Sequence, residues 1–334
     1  MVTMRDVAKK AGVSQATVSR VINESDYVDA ETKQKVIRWI KELGYKSNST
    51  ARALARKESS LIGVILPNIT NPYFGEVLST IEHEAYINGY DIIFMESNDN
   101  TYKEKKCIEN LLKRAPEGIL IVPINRQEKH IQKLKEIDIP VVVITKIIEG
   151  FNAVAVSHRK GGELVAKHFV DLGHEEIAFI GNYDEKFYGF KEKLEEYGIN
   201  FAGDKFFEIG KQTPASLRSI VTRKIEDYIE EKGKIDFTAI FATSDIIALE
   251  IIYVLREKGF KVPEDIAVAG FDNTFFARNI GITSVAQPIS EISHIAFNSL
   301  LTRMTDRIEE NEQIELLPRL IPRSSSVRLT KNKV

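Results

Sequence analysis

Gln15, Ala16 and Arg20 carry the first recognisable chemistry of this chain. In the major groove an arginine can donate two bonds to guanine, a glutamine can pair with adenine, and an alanine methyl can meet that of thymine. Residues 16 and 20 are one helical turn apart, so both can enter the groove together. Around them Ser14, Thr17, Ser19 and Asn23 have the short polar side chains that bind phosphate oxygens and set register without reading sequence. Such a set fits double-stranded DNA.

Two short helices must hold that set. Thr3 can cap the first, with Asp6 three residues on, and Val7, Ala8 and Ala11 form its inner face. Gly12 supplies the tight turn, Val13 packs inward, and Ser14 can cap a second helix whose apolar face is Val18, Val21 and Ile22. This is a helix-turn-helix pattern. Asp29 can cap a third helix, with Val36, Trp39, Ile40 and Leu43 at helical spacing and Gly44 as its stop, which completes a headpiece over 1–46. A linker over 47–60 follows. It is polar and basic yet contains Ala51, Ala53, Leu54 and Ala55 without a helix breaker, so a flexible tether and a helix formed on DNA both fit.

Charge divides the same way. Residues 1–58 hold 12 Lys and Arg against 7 Asp and Glu, a net +5, which leaves 34 against 41, a net −7, for the remainder. The basic end is the DNA end, and the acidic body discourages indiscriminate wrapping of nucleic acid. No apolar run reaches membrane-spanning length and no secretory signal pattern opens the chain, so a cytoplasmic protein is expected. Cys107 stands alone, which excludes an intrachain disulfide or cysteine metal cluster and leaves an ordinary thiol.

From Ser60 onward, short β-branched runs alternate with amphipathic stretches: LIGVIL, DIIFM, GILIVPI, PVVVI and AVAV, then IAFIG, FFEIG, TAIFA and IAVAG. Alternation of this kind argues parallel strands joined by crossover helices, in two α/β lobes. Helices are expected at 187–197, near 214–231 and at 245–258.

The ordered segments DVAKKAGVSQATVSRVIN, ELGY, ARAL, LIGVILPNITNPYF, HFVDLGHEEIAFIG, FATSDIIAL, VPEDIAVAGFDN and ITSVAQP resemble the LacI/GalR family of bacterial transcription regulators over almost the whole chain. The resemblance implies an all-α headpiece and a periplasmic-binding-protein-like effector-binding and dimerisation body over 61–334. Its first lobe is expected at about 61–152 and 288–316, its second at about 153–287 and 317–330. It further implies that Tyr45, Asn48, Arg52, Ala53 and Leu54 contact DNA, with Leu54 wedged into the minor groove. Ser47 stands where a proline is common.

In open α/β sheets ligands bind beyond the carboxyl ends of strands, and two facing lobes make a cleft. By resemblance, the segment after LIGVIL lines the effector pocket, which points to Tyr73 and Phe74, while Asp272 matches the acid that bonds effector hydroxyls or amines. Ser244 and Asn125 occupy strand-exit positions where ligand contact and turn chemistry are equally available. Asp245 reads as a helix cap. Lys186 stands where an arginine is common, and Ser157-His158, followed by Arg159 and Lys160, replaces an Asp-Asn pair. These exchanges point to an anionic effector such as a sugar acid or sugar phosphate.

The expected function is therefore that of an operator-binding homodimeric regulator, most simply a repressor, controlled by a small molecule. The polar basic C-terminal end, without a heptad helix, favours the dimer over a tetramer. Induction, co-repression and dual repressor/activator behaviour stay open, as does a non-sugar effector. Neither cofactor nor metal is expected: the six histidines are not spaced as ligands, and no Walker loop, HExxH helix, GxSxG elbow or dinucleotide fingerprint occurs in strand-to-helix context. An enzyme is thus disfavoured, and an exported transport protein would not carry the headpiece.

Overall fold

The computed structural model describes residues 2, 4–22, 28–43, 59–210, 214–306 and 311–327, without the side chains of Ser19, Ile22, Pro214, Ala215 and Asp306. It divides into two compact units, Met1–Ser60 and Leu61–Val334.

The first unit contains α1 (Met4–Ala11), α2 (Gln15–Ile22) and α3 (Ala30–Glu42). Gly12, in the left-handed region at φ 65°, turns the chain between α1 and α2. Val7, Ala8, Ala11, Val18, Val21 and Val36 are its buried core, with Val13, Trp39, Ile40 and Leu43 packed around them. Asp29 caps α3 by accepting from the Thr32 amide at 2.9 Å. Burial of the alternate helix face explains why one side of α2 is left for solvent.

The second unit is built from β1 (Leu61–Leu66), α4 (Pro72–Ile87), β2 (Asp91–Glu96), α5 (Thr101–Leu112), β3 (Gly118–Ile121), α6 (Lys129–Gln132), β4 (Val141–Ile144) and β5 (Asn152–Val156). Then come α7 (His158–Asp171), β6 (Ile177–Gly181), α8 (Glu185–Glu196), β7 (Phe206–Glu208), α9 (Pro214–Lys232), β8 (Ala239–Ala242) and α10 (Asp245–Glu257). It closes with β9 (Ala267–Asp272), α11 (Phe275–Ile280), β10 (Thr283–Ala286), α12 (Ile289–Asp306), β11 (Gln313–Leu316) and β12 (Arg319–Ile321).

These strands form two six-stranded sheets, ordered β11-β5-β4-β3-β1-β2 and β12-β10-β9-β8-β6-β7. Among the described residues every strand pairing is parallel except that of β10 with β12. Strands such as β1, β3 and β8 are almost wholly buried because helices cover both faces, which is why they read as continuous apolar runs rather than alternating ones. The chain passes between the lobes after β5, after β10 and after β11. Helix α12 returns to the first lobe, where Ile292, Ala296, Phe297 and Leu300 join the core of β1, β3 and β4.

One expected boundary is corrected. β5 belongs to the first sheet, not the second lobe, because Val142–Ile144 pair with Asn152–Val154 on one side and β11 pairs on the other. The lobe change falls at about residue 157.

Candidate functional site

The headpiece leaves Gln15, Ala16 and Arg20 exposed on α2. Ser14 begins that helix: its hydroxyl accepts from the Thr17 amide at 3.0 Å and bonds the Thr17 hydroxyl at 2.9 Å. Ser14 and Thr17 therefore fix the start of the helix and stand beside Gln15, Ala16 and Arg20. Arg5 and Lys9, one turn apart on α1, line a shallow groove with Val13 and Gln15. Their cationic spacing was visible in the sequence but not singled out. Thr3, Asn23, Tyr45, Asn48, Arg52, Ala53, Leu54 and the side chain of Ser19 lie outside the described residues.

In the body, the carboxyl ends of both sheets bring a polar cluster together. From the first lobe, Asn71 caps α4 by accepting from the Tyr73 amide at 3.1 Å, followed by Pro72 at the first helical position. Its amide nitrogen also reaches across to Asp272, 3.5 Å away at the end of β9 in the second lobe. Tyr73 is buried at 3% exposure with its ring edge-on to Phe74, and its hydroxyl has no hydrogen-bond partner among the described residues. A buried phenol without a partner costs roughly 1–3 kcal/mol, which a ligand's polar atom could recover. Burial and the Asp272 charge push that phenol well above its ordinary pKa.

From the second lobe come Asp272, His158, Lys186, Phe271 and Gln287. Gln287 donates to the Asp272 carboxylate at 2.7 Å. Asp272 has φ 106° and Asn273 φ 55°, so the turn that presents the carboxylate sits in backbone conformations that only surrounding contacts sustain. The Lys186 ammonium lies 4.1 Å above the Phe271 ring and donates to the Thr243 carbonyl at 2.8 Å. His158 meets the same ring edge-on at 5.5 Å. Removal from water and the neighbouring Lys186 and Lys146 charges hold its pKa down to about 3, so it is neutral at physiological pH.

Lys186 and His158 converge because α7 and α8 touch backbone to backbone. A Cβ at Gly162 would lie 2.0 Å from the Lys186 carbonyl oxygen, and one at Gly189 would lie 2.1 Å from that of Arg159. Only hydrogen fits at either crossing point.

Asp272 is not alone. Asp245, 1% exposed, lies close enough to feel the Asp272 charge. Both pKa values are raised well above the ordinary carboxylate range, chiefly by burial and, for Asp245, then by the Asp272 charge. Asp245 accepts from the Thr274 amide and hydroxyl at 2.7 and 2.9 Å and from the Ser284 hydroxyl at 2.5 Å. The expected cap role of Asp245 is thus corrected: Ser244 caps α10 through the Ile247 amide, while Asp245 braces the turn behind Asp272. Ser244 is spent in that cap rather than offered to a ligand. Asn125 is likewise a turn residue, exposed and accepting from the Gln127 amide at 3.0 Å.

The basic rim expected at 159 and 160 is also corrected. Arg159 pairs with Glu185 and Glu192, and Lys160 with Glu163, all on the exposed side of the second lobe. Two carboxylates of the neighbouring helix α8 neutralise Arg159, and one a single turn along α7 neutralises Lys160. Lys146, unmarked in the sequence, supplies charge instead: its half-buried ammonium donates to the Pro123 and Ile124 carbonyls at 2.6 and 2.5 Å and reaches His158 electrostatically. Asn71 and Gln287 were also missed, although Asn-Pro at a helix start was a legible cap signal for the former.

Fold and site define a repressor class: a ligand-binding body of two α/β lobes in one chain with a helix-turn-helix headpiece. The pattern of bacterial regulatory proteins of the lacI family matches residues 3–48, and a periplasmic binding protein-like domain matches 166–326. Catabolite control protein A of Priestia megaterium is 34% identical over 332 residues, covering 96% of this chain and 97% of that protein. The HTH-type transcriptional repressor PurR of Histophilus somni is 31% identical over 336 residues, covering 97% and 99%. The lac repressor dimer bound to operator and the anti-inducer ONPF shares 25% identity at a TM-score of 0.84, covering 98% of this chain and 99% of that one. The chain belongs to the LacI family of transcriptional repressors. No helix among the described residues is long and apolar enough to cross a membrane.

Proposed function

We propose that this protein is a cytoplasmic, homodimeric repressor that binds a near-palindromic operator through Gln15, Ala16 and Arg20, and that an anionic, hydroxyl-bearing small molecule lodged between its lobes controls that binding. The observation that carries the effector part is the meeting of Asn71 from one lobe with Asp272 from the other, beside Gln287, His158 and Lys186 and with the buried Tyr73 phenol, which has no partner among the described residues, within reach of the Asp272 charge. Asp272 accepts from ligand hydroxyls or amines, while Lys186, backed by Lys146, attracts the ligand's negative group. The lac repressor dimer bound to operator supports the same stoichiometry here. Two headpieces are needed because one half-site supplies too few contacts, and two-fold symmetry in the protein demands it in the DNA.

By this reading effector binding changes the relation of the lobes, and with it the spacing of the paired linkers, whose Leu54 residues wedge the minor groove. Serine and threonine hydroxyls near α2 hold phosphates, and Arg20 reads a base. Arg20→Ala is expected to cost about 1–3 kcal/mol on the preferred operator and to relax selection at one position per half-site. Binding to a library of duplexes checks this; unchanged preference at every position would remove Arg20 from the reading surface. Calorimetry with paired neutral sugars, sugar acids and sugar phosphates checks the ligand class. The acid or phosphate member of a pair is expected to bind at least about tenfold tighter, a difference near 1.4 kcal/mol. Tight binding confined to neutral sugars would refute the anionic assignment.

A further inference from the structure

Glu76 stands one turn beyond Tyr73 on α4, outside the set already assigned to the effector. Its carboxylate crosses between the lobes: Oε1 accepts from the Phe275 amide at 2.9 Å, and Oε2 lies 3.7 Å from the Arg278 guanidinium. Phe275 follows the turn that carries Asp272. On its own lobe that turn is tied down at every residue. The Asn273 amide donates to the Ser284 hydroxyl at 2.9 Å, and Arg323 donates to the Asn273 side chain at 2.6 Å. Arg278 donates to the Asn273 carbonyl at 2.9 Å, and Thr274 is held by Asp245. A braced turn of this kind moves with its lobe rather than deforming, so a bond from Glu76 to it is a bond from lobe to lobe.

We infer that Glu76 is a positioning residue of the effector cleft, setting the spacing of the lobes at which Asn71 meets Asp272. The two crossings are coupled by geometry. Asn71 and Glu76 both ride on the first turns of α4, and Asp272 and Phe275 lie three residues apart across consecutive positive-φ residues. Any ligand that draws Asp272 away from Asn71 must also load the bond between Glu76 and Phe275. Glu76 also opposes ionisation of Asp272 through its own charge, which places the two carboxylates within electrostatic reach. This role rests on the cleft proposed above only for its consequence at the operator; the Glu76 contact with Phe275 sets the lobe spacing of the unliganded chain, which is read without ligand or DNA.

The test uses the full chain with Cys107→Ser and spin labels on cysteines at exposed Lys113 in the first lobe and Glu195 in the second. Without ligand, Glu76→Ala is expected to broaden and lengthen the interspin distance distribution. Glu76→Gln, which keeps an oxygen for the Phe275 amide, should retain the wild-type distribution. Thermal melting shows that each variant is folded. On a palindromic duplex selected by the wild-type protein, Glu76→Ala should shift affinity by about fivefold or more, in line with ordinary coupling free energies. Coincident distance distributions for wild type and Glu76→Ala would overturn the positioning role. A lengthened distribution with unchanged operator affinity would uphold the positioning and count instead against lobe control of DNA binding.

Discussion

Asp272→Asn is expected to abolish the response to effector while making the body more stable at alkaline pH. The carboxylate is buried, accepts from Gln287 and Asn71, and is held near Asp245. Because its folded-state pKa is raised, the native state binds more protons than the unfolded chain from about pH 4, where an ordinary aspartate titrates, up toward neutrality. Stability from this coupled pair is therefore greatest below that window, falls as pH rises through it, and stays low above. Asparagine removes one charge and still accepts from Gln287, and it tolerates the left-handed backbone at this position. At pH 8 the variant should gain on the order of 1–3 kcal/mol, read as a higher Tm, with the gain fading toward pH 4. Effector affinity should fall at least about tenfold, since a charged acceptor contributes roughly 1.5–3 kcal/mol. Equal Tm at pH 8 together with undiminished effector binding would refute both halves.

Gly162→Val is expected to be the most damaging single substitution in the second lobe. A Cβ there would be 2.0 Å from the Lys186 carbonyl oxygen and 2.7 Å from the Phe190 amide, both backbone atoms that cannot swing aside. Helices α7 and α8 must separate, which costs about 3 kcal/mol or more by overpacking and carries His158 and Lys186 out of place. Far-UV circular dichroism should show early melting of the body. Trp39, the lone tryptophan, belongs to the headpiece core and should report little of it. A wild-type melting curve would mean that the helices part without cost.

Much of this organisation was legible from local chemistry. Ser14, Asp29 and Gly12 announce the ends of headpiece helices because caps and turns depend on a few neighbouring residues. The alternation of β-branched runs with helices likewise gives an α/β body, and Asp272 and Lys186 stand at or just beyond the carboxyl ends of β9 and β6, the rim at which open α/β sheets commonly take ligands. What stayed hidden depends on distant partners. β5 was assigned to the second lobe because nothing in AVAV tells that β11, some 160 residues later, will pair beside it. Asp245 looked like a cap because serine and aspartate compete for that position, and only Thr274 and Ser284 in space decide for the serine. Arg159 and Lys160 looked like a basic rim until Glu185, Glu192 and Glu163 were brought alongside. Lys146 gained its place in the cleft from three strands converging, which no spacing along the chain records.

The central claim, that occupancy of the cleft governs the grip of the headpieces on DNA, is tested most directly by one titration. A duplex selected by the protein is followed by fluorescence anisotropy at fixed salt, with and without a metabolite that raises the melting temperature of the body. The account predicts a marked preference for the palindrome over a scrambled duplex and a change in operator affinity of about tenfold or more when that metabolite is present. Saturation of the cleft with operator affinity unaltered, or equal affinity for palindrome and scrambled DNA, would contradict it.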